Sequence, residues 1–372
     1  TFRILKQLRY VTPRASAERL KAIERDAEKK AIEVARYVIP LAAFTAMVHT
    51  ISGITLYRLW RMAGAGDAPW ETRRVVAAMV EAVRAHDPQF IERFAIAPLE
   101  PAQVPEAAFP RPMASADGFA RRFDERLGGR TSKLVDASPG AEALVADAVR
   151  AVFSLDESEM SDEEAIARVL DPARNAYRLD TLNLAYHSPL MRALHHVNYT
   201  FARRVSHTAD SQDQRHRMVP ASRPLLAFAD TSAPDYVTPM LIRANAEARA
   251  EYDAQMQRAW DAKNRLLALG VPVEFALYVL PNAKAVRYHE TGPLIALVHK
   301  WTMRTCFNAQ EEIYQASIEE LEQVRAVHPR LARHMGPPCV VRNGLISPRC
   351  TEGTHFCGVP VWRDWPNVER QL

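Results

Sequence analysis

An internal repeat constrains this chain more than any other feature. Residues 35–88 and 276–329 align without a gap at an offset of 241. Ala35-Arg-Tyr-Val-Ile-Pro40 stands against Ala276-Leu-Tyr-Val-Leu-Pro281. Downstream the register pairs Thr50 with Thr291, Leu56 with Leu297, Trp60 with Trp301, Met62 with Met303, Ala68 with Ala309 and Glu71 with Glu312. Val83-Arg84-Ala85 and Pro88 meet Val324-Arg325-Ala326 and Pro329. Chance alignment of windows this long gives roughly three identities, so the register implies a duplicated unit. A Tyr-Val-Thr-Pro tetrad also occurs twice, at Tyr10 and Tyr236, with a spacing to the repeat that differs by 15 residues and places a length change in the intervening helix.

About 100 residues of the second copy precede Tyr236, but only nine residues precede Tyr10, so the first copy is expected to lack its front half. The chain opens on Thr1 rather than Met, which predicts that upstream residues were removed or left out. Pro98, Pro101, Pro105, Pro110 and Pro112 resist helix and sheet and predict a linker with a boundary near Pro112. Three segments follow: residues 1–112, the rear half of a first copy plus linker; 113–330, a complete second copy; and 331–372, a tail.

The 372 residues are 48% hydrophobic and 25% charged, which excludes a disordered, collagenous or low-complexity chain. The net charge, 48 − 44 = +4, suits phosphate-bearing small molecules and leaves nucleic acid open as a partner. The most apolar stretch, Tyr37 to Ile51, is interrupted by Pro40, Thr45 and His49 and falls short of the ~18 residues that span a bilayer, so no membrane contact is expected. With no secretory leader pattern and only four cysteines, a cytoplasmic location is expected. Helical periodicity runs over Ser16–Val38, Thr72–His86, Ala141–Phe153 and Asn308–Val327. Ser161 with Glu164 and Asn308 with Glu311 have capping-box form. Val197, Tyr199 and Phe201 alternate with polar neighbours as a half-buried strand does. The expected fold class is α+β, helix-rich, with small antiparallel sheets.

Chemistry concentrates in Gln212-Asp-Gln-Arg215-His216-Arg217, where two guanidiniums beside an imidazole provide bidentate donors for a diphosphate and a ring that stacks or hydrogen-bonds. Taken alone, such a cluster reads first as a solvated basic loop.

Its context resembles the flavin-dependent thymidylate synthases. His196-Val-Asn-Tyr-Thr200-Phe201 precedes Arg215-His216-Arg217 by 13 residues, in the order and spacing of that family. Gly270-Val271-Pro272, Ala276-Leu277-Tyr278-Val279-Leu280-Pro281, Arg304 and Ala309-Gln310-Glu311-Glu312-Ile313 match its downstream segments, and Lys133-Leu-Val-Asp136 and His187-Ser-Pro189 its opening. The resemblance covers about 131–330 as a full copy and 1–95 as the rear half of another.

The resemblance implies that His196, Arg215, His216, Arg217 and His299 contact FAD, and that Gln212, Arg36 and Arg304 contact the pyrimidine nucleotide, Arg304 as the catalytic guanidinium. It also implies the reaction, in which reduced flavin relays a one-carbon unit from methylenetetrahydrofolate to dUMP and donates hydride, with NADPH as reductant. A guanidinium that polarises the uracil carbonyl replaces a cysteine nucleophile. Departures are substantial. Where the family has an Asn-Glu-x-Ser-x-Arg clasp for the substrate, this chain has Ser222-Arg223-Pro224-Leu225-Leu226-Ala227, and Leu277 replaces a substrate-binding arginine. Copy one keeps Arg36 at the position of Leu277 and has Ala63 at the position of Arg304. These complementary losses imply that the family's homotetramer has become a two-copy chain that dimerises, with composite sites; plain drift of both copies is the rival explanation. Two other readings stay open: a non-catalytic flavin- or nucleotide-binding assembly protein, and a flavin-dependent methylase with a different acceptor.

The tail holds Cys339, Cys350 and Cys357 with His355 close by. Cys339, Cys350, His355 and Cys357 form a candidate set for structural zinc, against reduced cysteines packed under Trp362 and Trp365.

Overall fold

The structure, a computed structural model, describes residues 16–65, 69–93, 97–108, 115–180, 182 and 184–370. The tetrad at Tyr10, the pairing at Ala68 and the boundary at Pro112 lie outside them.

Ten helices are used below: α1 Ala17–Ala35, α2 Gly53–Arg61, α3 Pro69–His86, α4 Asp117–Leu127, α5 Ala141–Phe153, α6 Asp162–Leu170, α7 His207–Asp213, α8 Ala246–Ala268, α9 Leu294–Arg304 and α10 Glu311–Val327. The strands are β1 Ser132–Ala137, β2 Asn198–Ser206, β3 Ala221–Ser222 and β4 Ala285–Pro293, in one antiparallel sheet of order β1-β2-β4-β3. This is the α+β, helix-rich architecture that the patterning predicts.

Each start has a local cause. Ser16 caps α1, its Oγ accepting from the Arg19 N–H, and Ser161 caps α6 in the same way through Glu164. The predicted cap at Asn308 is not the one used. Gln310 caps α10 by accepting from the Ile313 N–H, because Asn308 is drawn away to donate to the His355 carbonyl at 2.6 Å. Within the proline-rich stretch, Pro101 and Pro105 each open a short helical turn, where the missing N–H has no intrahelical partner to lose.

The main core lies between α5, α6, β2 and α9. Tyr199 and Phe201 on β2 and Leu294, Leu297 and Trp301 on α9 are fully buried there. Copy one builds its own smaller core from Leu56, Tyr57, Ala63, Val76, Val80 and Ile91. At the offset of 241, residues 44–52 correspond to β4, yet they form no strand, and Phe44, Met47 and Val48 are exposed.

The two repeats meet through contacts that occur in mirrored pairs. Leu41 N–H donates to the Leu280 carbonyl at 2.8 Å, and Asn282 N–H donates to Ile39 at 2.9 Å. Ala42 N–H donates to Tyr278 and Ala283 N–H to Tyr37. Pro40 and Pro281 form an antiparallel bridge. The Tyr37 hydroxyl donates to Glu312 while the Tyr278 hydroxyl donates to Glu71. Every pair maps onto its partner by adding or subtracting 241, which is the rule of a two-fold isologous interface, here within one chain.

Candidate functional site

The site is assembled by a buried charge cluster that sequence patterning did not reveal. Arg203 on β2, Glu290 on β4, Asp213 at the end of α7, and Lys300 on α9 are all buried, with Glu320 of α10 behind them. Arg203 reaches Glu290 at 2.8 Å and also bonds Asp213; Lys300 lies 3.1 Å from Asp213 and also bonds Glu290. Glu320 accepts from the Trp301 indole at 2.8 Å. Burial opposes ionisation of Asp213, but the charges of Lys300 and Arg203 outweigh it and hold its carboxyl far below the usual range. These pairs fasten the end of α7 against α9.

Two turns follow α7, closed by the Arg215 N–H on Gln212 and the His216 N–H on Asp213, and they place His216 over α9. There Arg304 Nε donates to His216 Nε2 at 2.7 Å, and the His299 ring packs edge-on at 6.0 Å from that of His216. Burial, and then the charge of Arg304, push His216 down to about 4 and lower His299 as well. A neutral imidazole is the state that accepts from a guanidinium. Burial lowers the pKa of Arg304, against the pull of Asp213, and the nearby charge of Arg215 lowers it further. His216, His299, Arg304 and Arg215 therefore come together from motifs about 90 residues apart.

The other predicted site residues divide as follows. Gln212 is half-buried on α7, one residue before Asp213. Arg215 and Arg217 are exposed. His196 is exposed ahead of β2, and among the described residues no hydrogen bond ties it to the cluster. Arg36 is exposed in the turn Arg36–Val38, and among the described residues its guanidinium makes no ion pair. The positions of the two lost arginines are both core: Leu277 is 3% exposed and Ala63 is 1% exposed. At each of the two repeat positions, one copy has an accessible arginine and the other a packed apolar residue.

The altered clasp is turned inward. Arg223 pairs with Asp210 at 2.7 Å and lies 4.7 Å over the Tyr288 ring, while Leu226 and Ala227 pack on the core around Tyr37 and Trp260. Arg223 is thus engaged internally. His299 faces a cavity of about 360 Å³ with Thr302 and Met303 on one wall and Tyr186, Arg178 and the tail's Arg342 on the others. In the tail, Cys339, Cys350 and Cys357 line one small cavity together with Cys306, while His355 is absent from its lining and offers only its backbone carbonyl, to Asn308.

The thymidylate synthase complementing protein family matches residues 6–89 and 133–330, about three quarters of the chain. The chain belongs to this family. The flavin-dependent thymidylate synthase of Geobacter sulfurreducens is 30% identical over 229 residues, which cover 60% of this chain and 92% of that protein. The enzyme of the same name from Sulfolobus acidocaldarius is 29% identical over 252 residues, covering 61% of this chain and 91% of that protein. That from Nitratidesulfovibrio vulgaris is 33% identical over 195 residues, 50% of this chain and 76% of that protein. The His216 and Arg304 cluster lies within the family match, and the tail from residue 331 lies beyond it. No helix among the described residues is long and apolar enough to cross a membrane.

Proposed function

We propose that this family member is an FAD-dependent methylase that converts a uracil nucleotide, dUMP in the first instance, to its thymine counterpart with methylenetetrahydrofolate and NADPH. The observation that carries the reading is the bond between Arg304 and His216, which joins the catalytic guanidinium implied by the resemblance to the middle residue of the flavin motif. The residues suit the groups: exposed Arg215 and Arg217 supply bidentate donors for a diphosphate, and Arg304 between Asp213 and Arg215 is oriented by charge on both sides. FAD, when bound, supplies the one-carbon relay and the hydride. Arg304 then stabilises charge that develops on the uracil carbonyl, and His216 holds that guanidinium in place through its unprotonated Nε2. His196, His299 and Gln212 complete the proposed contacts, the two histidines toward the flavin and Gln212 toward the pyrimidine.

The mirrored repeat contacts support a further part of the reading, in which two copies in one chain replace two subunits and a homodimer replaces a tetramer. Arg36 and Arg304 then belong to composite sites. A second reading, flavin binding without turnover on dUMP or with another acceptor, is favoured by one observation: the clasp residues Arg223 to Ala227 are packed inward.

Titration with FAD, followed by flavin fluorescence, tests the flavin site. The intact chain is expected to bind and turn yellow, and the Arg215→Ala, Arg217→Ala double variant to bind about 100-fold or more weakly, as the loss of two charge-assisted contacts requires. Equal affinity in both, with the far-ultraviolet spectrum unchanged, would remove these residues from the site.

A further inference from the structure

All four cysteines of this chain border one cavity. Cys306 follows α9 by two residues, and Cys339, Cys350 and Cys357 come from three separate segments of the tail, yet all four line a single cavity of about 20 Å³. None is in a disulfide. The surroundings are built: Phe307, Tyr314 and Val361 are buried around Cys339 and Cys357, and Trp365 closes the cluster while its indole donates to the Met335 carbonyl at 3.0 Å. Four cysteines bordering one small cavity, in a segment rich in turns and short of regular structure, supply the donor type of a structural soft-metal site.

We propose that Cys306, Cys339, Cys350 and Cys357 bind one zinc-class divalent cation, which fastens the tail to the end of the helix that carries Arg304. Binding replaces four thiol protons with four sulfur–metal bonds, so each ion taken up releases four protons. Without an ion the side chains stand apart: among the described residues no three Cys, His, Asp or Glu side chains are placed to hold a metal ion. Metal–sulfur bonds of about 2.3 Å draw the four inward on the cavity they already share. Glu352 also lines the cavity but accepts from Asn308 at 3.3 Å, and the four-cysteine donor set selects zinc over magnesium or calcium.

The site has a structural consequence for its neighbour. Arg342 and Pro338 of the tail wall the cavity that His299, Thr302 and Met303 bound on the α9 side, and Cys306 and Cys339 hold these two walls together. The metal is thus a positioning element for that cavity and takes no part in group transfer.

The test is metal analysis of the intact chain expressed with zinc and desalted, paired with X-ray absorption at the zinc edge. The expected result is one zinc per chain with a four-sulfur shell at about 2.3 Å. Cys306→Ser is expected to lose the metal as fully as Cys350→Ser, and His355→Ala to keep it. Zinc absent from the wild-type chain after incubation with Zn²⁺ and desalting overturns the proposal. So does zinc retained in Cys306→Ser, or a mixed sulfur–nitrogen shell that vanishes in His355→Ala. Should Cys306→Ser fail to fold, the wild-type shell alone decides. None of these readouts depends on flavin binding.

Discussion

Arg304→Ala is expected to lower kcat for uracil-nucleotide methylation by about 10²–10³, the range seen when one preorganised donor to a developing oxyanion is removed. The side chain is well prepared for that role. Its Nε is committed to His216, its charge is pulled by Asp213 from behind, and among the described residues its terminal nitrogens bond no other protein group. Folding is expected to survive, because Arg304 is half-buried at a helix end and the cluster beneath it stays complete. Arg36→Ala is the paired experiment. Loss of one charged hydrogen bond to bound substrate, about 1.5–3 kcal/mol, raises KM by about 10- to 100-fold with kcat nearly kept. Random decay of the two copies predicts no effect of Arg36→Ala on either constant. The pattern already argues for composite use, because the repeat positions opposite these arginines, Ala63 and Leu277, have become core while the arginines have stayed accessible.

Glu290→Ala is expected to destabilise the fold by about 3–5 kcal/mol, enough to shift a urea midpoint strongly or prevent accumulation of the chain. Glu290 is the shared partner of Arg203 and Lys300, all three with side chains no more than 1% exposed. Removing it takes from both buried cations an acceptor they share, and no water reaches the place to replace the lost bonds. The partial burial of charge beneath a binding site has a mechanical use: it locks α7 to α9 and so fixes the distance between His216 and Arg304. Glu290→Gln, which keeps one acceptor, is expected to lose less. Equal stability of the alanine variant and the parent would show that these charges are solvated and do not order the site.

Much of this was legible in the chain, and the reasons for the remainder are physical. The helices over 17–35, 69–86, 141–153 and 311–327 follow three- and four-residue spacing, and β2 follows alternation, because each buries one face. The offset of 241 survives as mirrored hydrogen bonds because backbone pairing depends on register rather than on side chains. The charge cluster escaped because Arg203 and Glu290 occupy core positions on strands, where pattern reading expects apolar residues; Arg203 breaks the run Tyr199-Phe201-Val205. Their pairing is set by the β2–β4 register, which places Arg203 opposite Tyr288 and diagonal to Glu290. Residues 44–52 keep the repeat's sequence register without forming its strand. Cys306 was overlooked beside its three tail counterparts because 33 residues of chain separate it from Cys339.

Tritium release from 5-tritiated dUMP tests the central claim most directly, since the label leaves carbon 5 only when that carbon is attacked or substituted. The account predicts release that requires FAD, NADPH and methylenetetrahydrofolate together and that collapses in Arg304→Ala. Protein that binds FAD yet releases no tritium with all three present, or releases it equally without Arg304, would contradict it.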